Sequence, residues 1–202
     1  MQRPNLLLFF LVIISLMINM MKAFKFLTLL IGFGLFFSCK QNDIRRAGSY
    51  FPLSVGNYWH LGQSITYEVT KTEELKGKSY YLVRTSYDST WYRVSKGKVY
   101  AVRGHDKTGD EAVIFNLTAK EEDSWTFHNY TVTLQSKKEE IDFQGKKIKN
   151  CYLFFVNDPR MADEGYWIWL APEIGFIQYR YLLVSSQPIS TLRKAKINGV
   201  EL

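Results

Sequence analysis

The chain has 202 residues, 26 Lys and Arg against 19 Asp and Glu for a formal net charge of +7, and an aromatic content of 16%. That length fits one domain of ordinary size behind a leader, and the two cysteines, Cys39 and Cys151, exclude a disulfide framework. Charges alternate in sign (Lys71, Glu73, Glu74, Lys76, Lys78; then Lys137, Lys138, Glu139, Glu140) and form no one-signed cluster on a recognisable motif, which excludes a nucleic-acid reader.

The first elements in chain order are two apolar runs, Leu6–Met17 and Phe26–Phe37, separated by Lys22 and Lys25. The second run has twelve residues, too short to cross a hydrocarbon core of about 30 Å and suited to a signal-peptide core instead. A membrane anchor, including a helical hairpin made of both runs, and a secretory peptide without lipid are the competing readings. A start at Met21 gives a well-formed basic opening, Met-Lys-Ala-Phe-Lys, and makes residues 1–20 an over-long gene start.

The second run ends in Leu35-Phe36-Phe37-Ser38-Cys39, which resembles a bacterial lipoprotein signal with its lipobox, Phe36 standing where leucine is usual. The resemblance implies diacylglycerol on the Cys39 thiol and cleavage before it, so residues 1–38 are the signal peptide. Arg3, Lys22 and Lys25 leave with it, which brings the net charge from +7 to +4. Residues 39–49 read as a lipidated tether. Lys40 rather than Asp follows Cys39, and by the same resemblance this favours the outer membrane. Lys40 and Asp43 match in part the surface-display signal of Bacteroidetes lipoproteins.

From Tyr50 to Leu202 the chain reads as a single all-β domain. Ile65–Thr70, Tyr130–Gln135 and Tyr166–Leu170 alternate in residue type along the chain, as half-buried strands do. Lys76-Gly77-Lys78, Lys96-Gly97-Lys98, Gln144-Gly145-Lys146 and Asn198-Gly199 supply the glycines that tight hairpins require. Closely spaced hairpins predict one antiparallel meander, and protecting its edges predicts a strongly curled or barrel-like sheet. The only helical candidate, Asp158–Gly165, is short and polar.

Tyr50-Phe51-Pro52-Leu53-Ser54-Val55-Gly56-Asn57-Tyr58-Trp59 resembles the FPLxxGNxW opening of a group of uncharacterised Bacteroidetes outer-membrane lipoproteins. Phe115–Lys120 with Asp123-Ser124-Trp125 is similar to that group's middle block. Trp169–Ile177 is similar to its APGIGLI block, with Glu173 in place of glycine. The resemblance covers roughly residues 50–180 and implies fold and location, without a reaction.

His60, His105 and His128 have no zinc spacing. Asp106, Asp110 and Glu111 depart from the calcium-loop template and read as a solvated hairpin tip. Phosphate-binding loops and nucleophile elbows are missing, so no motif names a catalytic residue, a cofactor or a metal ligand, which lowers the expectation of an enzyme without excluding one. Cys151 sits in an apolar strand and reads as a buried thiol. Trp59, Trp125, Trp167 and Trp169 are the candidate stacking aromatics, with core packing as their other reading. The expected partners are the bilayer through acylated Cys39, and either an envelope protein or a hydrophobic ligand. The function these imply is a structural or interaction lipoprotein of the cell envelope, the alternative being a carrier with a lipid-binding cavity.

Overall fold

The computed structural model describes residues 48–103, 109–160, 165–182 and 189–202. Cys39, the leader and the tether ahead of Gly48 lie outside the described residues, as do His105 and Asp106. Residues 43–202 form one compact unit.

Among the described residues thirteen strands follow one another: β1 (Tyr58–Leu61), β2 (Ile65–Leu75), β3 (Lys78–Thr85), β4 (Ser89–Ser95), β5 (Lys98–Arg103), β6 (Ala112–Asn116), β7 (Ser124–Phe127), β8 (Tyr130–Phe143), β9 (Lys146–Asn157), β10 (Gly165–Ala171), β11 (Gly175–Tyr181), β12 (Ser190–Ile197) and β13 (Val200–Glu201). Every pairing is antiparallel. The order β6-β5-β4-β3-β2-β1-β12-β11-β10-β9-β8-β7 places the first and the twelfth strand side by side, and β13 folds back on β12. The expected all-β, barrel-like meander is therefore what the chain forms. Its break falls between the chain neighbours β6 and β7, which share no backbone ladder.

The four expected glycine turns join β2 to β3, β4 to β5, β8 to β9 and β12 to β13. Each has both central residues at positive φ (Lys76 50° and Gly77 71°; Lys96 48° and Gly97 74°; Gln144 52° and Gly145 75°; Asn198 51° and Gly199 87°). That geometry matches the twist of paired strands. Successive connections of a meander alternate between its ends, so all four tight turns lie at one end. The β1–β2 and β3–β4 turns lie at the other.

The inward rows of both halves fill the interior. Val69, Val83, Val99, Ala101 and Phe115 come from the first half and meet Leu134, Phe154, Ile168, Leu170 and Tyr179 from the second. Burying each large aliphatic or aromatic side chain contributes about 1.5–3 kcal/mol. A separate cluster lies on the outer face, where Leu82, Trp91 and Val102 stand in register across β3, β4 and β5 beside Tyr80.

Candidate functional site

The chain enters the fold at the tight-turn end. Residues 48–50 are helical, and the carbonyl of Ser49 accepts a bond from the backbone N–H of Glu173 at 2.6 Å. Phe51 then drops into the interior, its ring 5.3 Å from Tyr92, 5.9 Å from Phe115 and 5.2 Å from Phe176. Buried Asn57 fixes the turn into β1. Its side-chain amide donates to the Pro52 carbonyl at 2.9 Å, and its side-chain oxygen accepts from the backbone N–H of Asn198 at 2.8 Å. One polar side chain thus locks the lead-in to the β12–β13 turn, and a buried amide satisfied in this way is stable away from water. The residue types Gly56-Asn57 announced a turn; the tie to Asn198, 141 positions away, had no local signal.

Between this lead-in and the β3–β4 wall lies an open cleft of about 410 Å³. Phe51, Pro52, Leu53, Tyr81 and Val94 supply its apolar surface, and Gly48, Ser54, Ser79 and Asn198 complete the lining. Ser54 donates to the Asn198 side-chain oxygen at 2.9 Å across it. None of these nine side chains is charged, so the cleft suits an uncharged apolar or amphipathic group.

The four candidate tryptophans have separate neighbours rather than forming one platform. Trp59 is fully buried, its indole N–H donating to the Ile174 carbonyl and its ring 5.6 Å from Phe176. Trp125 is half-buried, donates to the Val113 carbonyl at 2.9 Å and meets Phe154 edge-on at 6.2 Å. Trp167 points away from the interior rows, with Phe155 at 4.9 Å, the Arg180 guanidinium at 5.6 Å and an indole N–H donated to Gln135 at 3.0 Å. Trp169, half-buried, packs against the main core. Trp91, which no local pattern singles out, is buried on the outer face under the Lys71 ammonium, 5.1 Å from its ring.

Glu111 is not the solvated tip its sequence suggested. Arg93 grips its carboxylate through two nitrogens, at 2.5 and 2.9 Å. Lys78 adds a bond at 3.0 Å, and the Tyr80 hydroxyl donates to the same group. Hydrogen bonding to Arg93 is the largest cause of a carboxyl held at about 2. The Arg93 guanidinium also lies 3.9 Å from the centre of the Tyr100 ring. This network clamps the end of the β5–β6 connection to the outer face. Asp158 is similarly held at about 2 by Arg160, which donates from its backbone and its guanidinium.

Burial pushes the phenols of Tyr67 and Tyr179 well above the ordinary tyrosine range, and the neighbouring tyrosines push the same way. They are protonated phenols, unsuited to nucleophilic work at neutral pH. Among the described residues no group of three or more His, Cys, Asp and Glu side chains is arranged to hold a metal ion.

No family model and no curated protein matches the chain. Two solved structures are similar to it. One is from Bacteroides fragilis and is described as an exported protein with a YmcC-like fold; it has 12% identity and a TM-score of 0.44, and the match covers 72% of this chain and 98% of that one. The other, described as a lipoprotein of Parabacteroides distasonis, has 12% identity and a TM-score of 0.39, and the match covers 73% of this chain and 98% of that one.

Proposed function

We propose that this chain is a lipid-anchored lipoprotein of the bacterial outer membrane, of the Bacteroidetes type its motifs resemble, whose β domain works by surface contact with other envelope components. The observation that carries this reading is the lipobox ending at Cys39, nine residues ahead of Gly48, where the described fold begins. The interior supports a scaffold rather than a container, because the rings of Phe51, Phe115, Phe154 and Phe176 occupy it in mutual contact. Metabolic labelling with an alkyne fatty acid tests the anchor. Label should enter the wild-type chain and sediment with outer membranes, and Cys39→Ala should take up none. Equal label in both chains would refute acylation at Cys39.

The open cleft favours a second reading, a carrier for a hydrophobic molecule. Native mass spectrometry of the detergent-extracted protein separates the two readings. A bound lipid that leaves on denaturation would favour the carrier, and a bare mass the scaffold.

A further inference from the structure

The cleft gathers several features of one end of the barrel. Gly48, where the chain arrives, lines it together with Ser54, Ser79, Val94 and Asn198. Each of these is close in sequence to an exposed group: Ser54 to Val55, Ser79 to Lys76, Val94 to Lys96 and Asn198 to Val200. Val55, in the turn before β1, and Val200, at the start of β13, are 55% and 62% exposed, unusual for valine. Lys76 and Lys96 are exposed and occupy the first central position of their hairpin turns at φ 50° and 48°. Asn, Asp or Gly normally takes that position because a side chain there is strained. Two valines and two lysines thus project around the point of attachment.

We propose that this end of the barrel docks on the phospholipid surface into which the chain is anchored, with Val55 and Val200 in the headgroup–acyl boundary and Lys76 and Lys96 on lipid phosphates. The inference rests on the reading that the anchor precedes Gly48. Eight residues separate Cys39 from Gly48, and the nine steps between them reach at most about 30 Å, so the anchor keeps this end near the bilayer. Apolar tips with flanking lysines are the chemistry by which proteins lie on an interface. Acidic groups share this end. Glu74 precedes the Lys76 turn, Lys78 is occupied by Glu111 of the β5–β6 connection at 3.0 Å, Glu173 is exposed in the β10–β11 turn, Glu201 beside Val200 is taken by the Tyr58 hydroxyl and Lys194, and residues 121–123 are Glu-Glu-Asp. Of these last, Glu121 and Asp123 accept bonds from the backbone N–H groups of Lys137 and Lys120. The β2–β3 and β4–β5 turns therefore carry the lysine contact.

The test places a polarity-sensitive thiol dye on Val200→Cys or, at the opposite end, on exposed Tyr87→Cys in the full chain. Each is reconstituted in phosphatidylcholine vesicles with and without phosphatidylglycerol, and the chain without an added cysteine sets the background. The Val200 probe should shift to the blue and be quenched several-fold more by headgroup-proximal doxyl lipids than the Tyr87 probe. Phosphatidylglycerol should strengthen that quenching, and Lys76→Glu with Lys96→Glu should abolish the gain. Both substitutions are exposed and leave the core intact, which circular dichroism verifies. Equal quenching at the two ends overturns the docking face, and a Val200 signal indifferent to phosphatidylglycerol and to the lysines overturns their contact with lipid. Failure of fatty-acid labelling would reject acylation of Cys39 while leaving this readout intact, since it requires only that the protein be held in the vesicle.

Discussion

The indole N–H of Trp125 on β7 donates to the backbone carbonyl of Val113 on β6 at 2.9 Å, across the one join between chain-adjacent strands that has no backbone ladder. Both edges are short, five and four residues, which limits the unpaired backbone they present. The Trp125 ring also leans on Phe154, which in turn meets Phe115 beside the seam at 4.9 Å. Side chains, rather than amide pairs, thus close the sheet on itself.

Trp125→Phe tests this directly. It keeps an aromatic ring against Phe154 and removes the bond to Val113. A loss of about 1 kcal/mol is expected, read as a lower urea midpoint with an unchanged slope. Amide exchange should quicken in β6 and β7 and stay unchanged in β2 and β3. A loss spread evenly over all strands would mean that the bond does not hold the seam.

The strands and turns were legible because their signals are local. Alternation marks a half-buried strand, and a Lys-Gly or Asn-Gly pair between two such runs marks a hairpin. The seam was not legible, because β6 and β7 are neighbours in sequence and a meander predicts that neighbours pair. What separates them is a connection pinned elsewhere: the Leu117 N–H bonds the Gly97 carbonyl, and the Glu122 N–H bonds the Leu134 carbonyl. The Glu111 clamp was equally hidden. Its partners Tyr80 and Arg93 lie on strands whose register no local pattern sets, so a carboxylate among loop residues read as solvent-exposed. The tryptophans were recognised by type, and their dispersal followed only from the register.

Glu173 sits at φ 64° in the β10–β11 turn, a left-handed conformation that strains any side chain with a Cβ. Its backbone N–H, bonded to Ser49, is kept by any non-proline residue. Glu173→Gly should therefore stabilise the fold by about 0.5–1 kcal/mol, the relief of strain being partly offset by greater freedom in the unfolded chain. Gly175, two residues on, should respond in the opposite sense. It has φ 88°, and an added Cβ would come within 3.1 Å of the Trp59 ring, so Gly175→Ala should destabilise. Thermal melts of the two variants check both signs, and a destabilised Glu173→Gly would contradict the strain argument.

The Glu111 clamp makes stability depend on acid. Its folded carboxyl lies at about 2, below the ordinary value of 4.5. The folded state therefore favours the charged form, and its contribution is complete above about pH 4.5. It is lost as pH falls toward 2, where the folded group takes up its proton. Glu111→Gln should weaken the protein by about 1–2 kcal/mol at pH 7, after allowing for the partial exposure of the pair. The wild-type and variant stability curves should converge by about pH 2. Curves that stay parallel from pH 7 to pH 2 would mean that the lost bonds involve geometry rather than charge.

Cys151 is fully buried on β9, where burial, reinforced by the charge of Glu139, pushes its thiol up to about 11. Thiol reagents attack the thiolate, so both the closed surroundings and the raised value slow them. The native protein should give no rapid reaction with a disulfide reagent at pH 8. Once unfolded in guanidinium, the membrane-extracted chain should release one thiol equivalent if Cys39 carries a lipid and two if it does not. Cys39→Ala gives one in either case and fixes the scale. A fast native reaction would show that β9 opens far more readily than its ladders with β8 and β10 imply, and would move the weakest part of the barrel from the seam to the strand that carries Cys151.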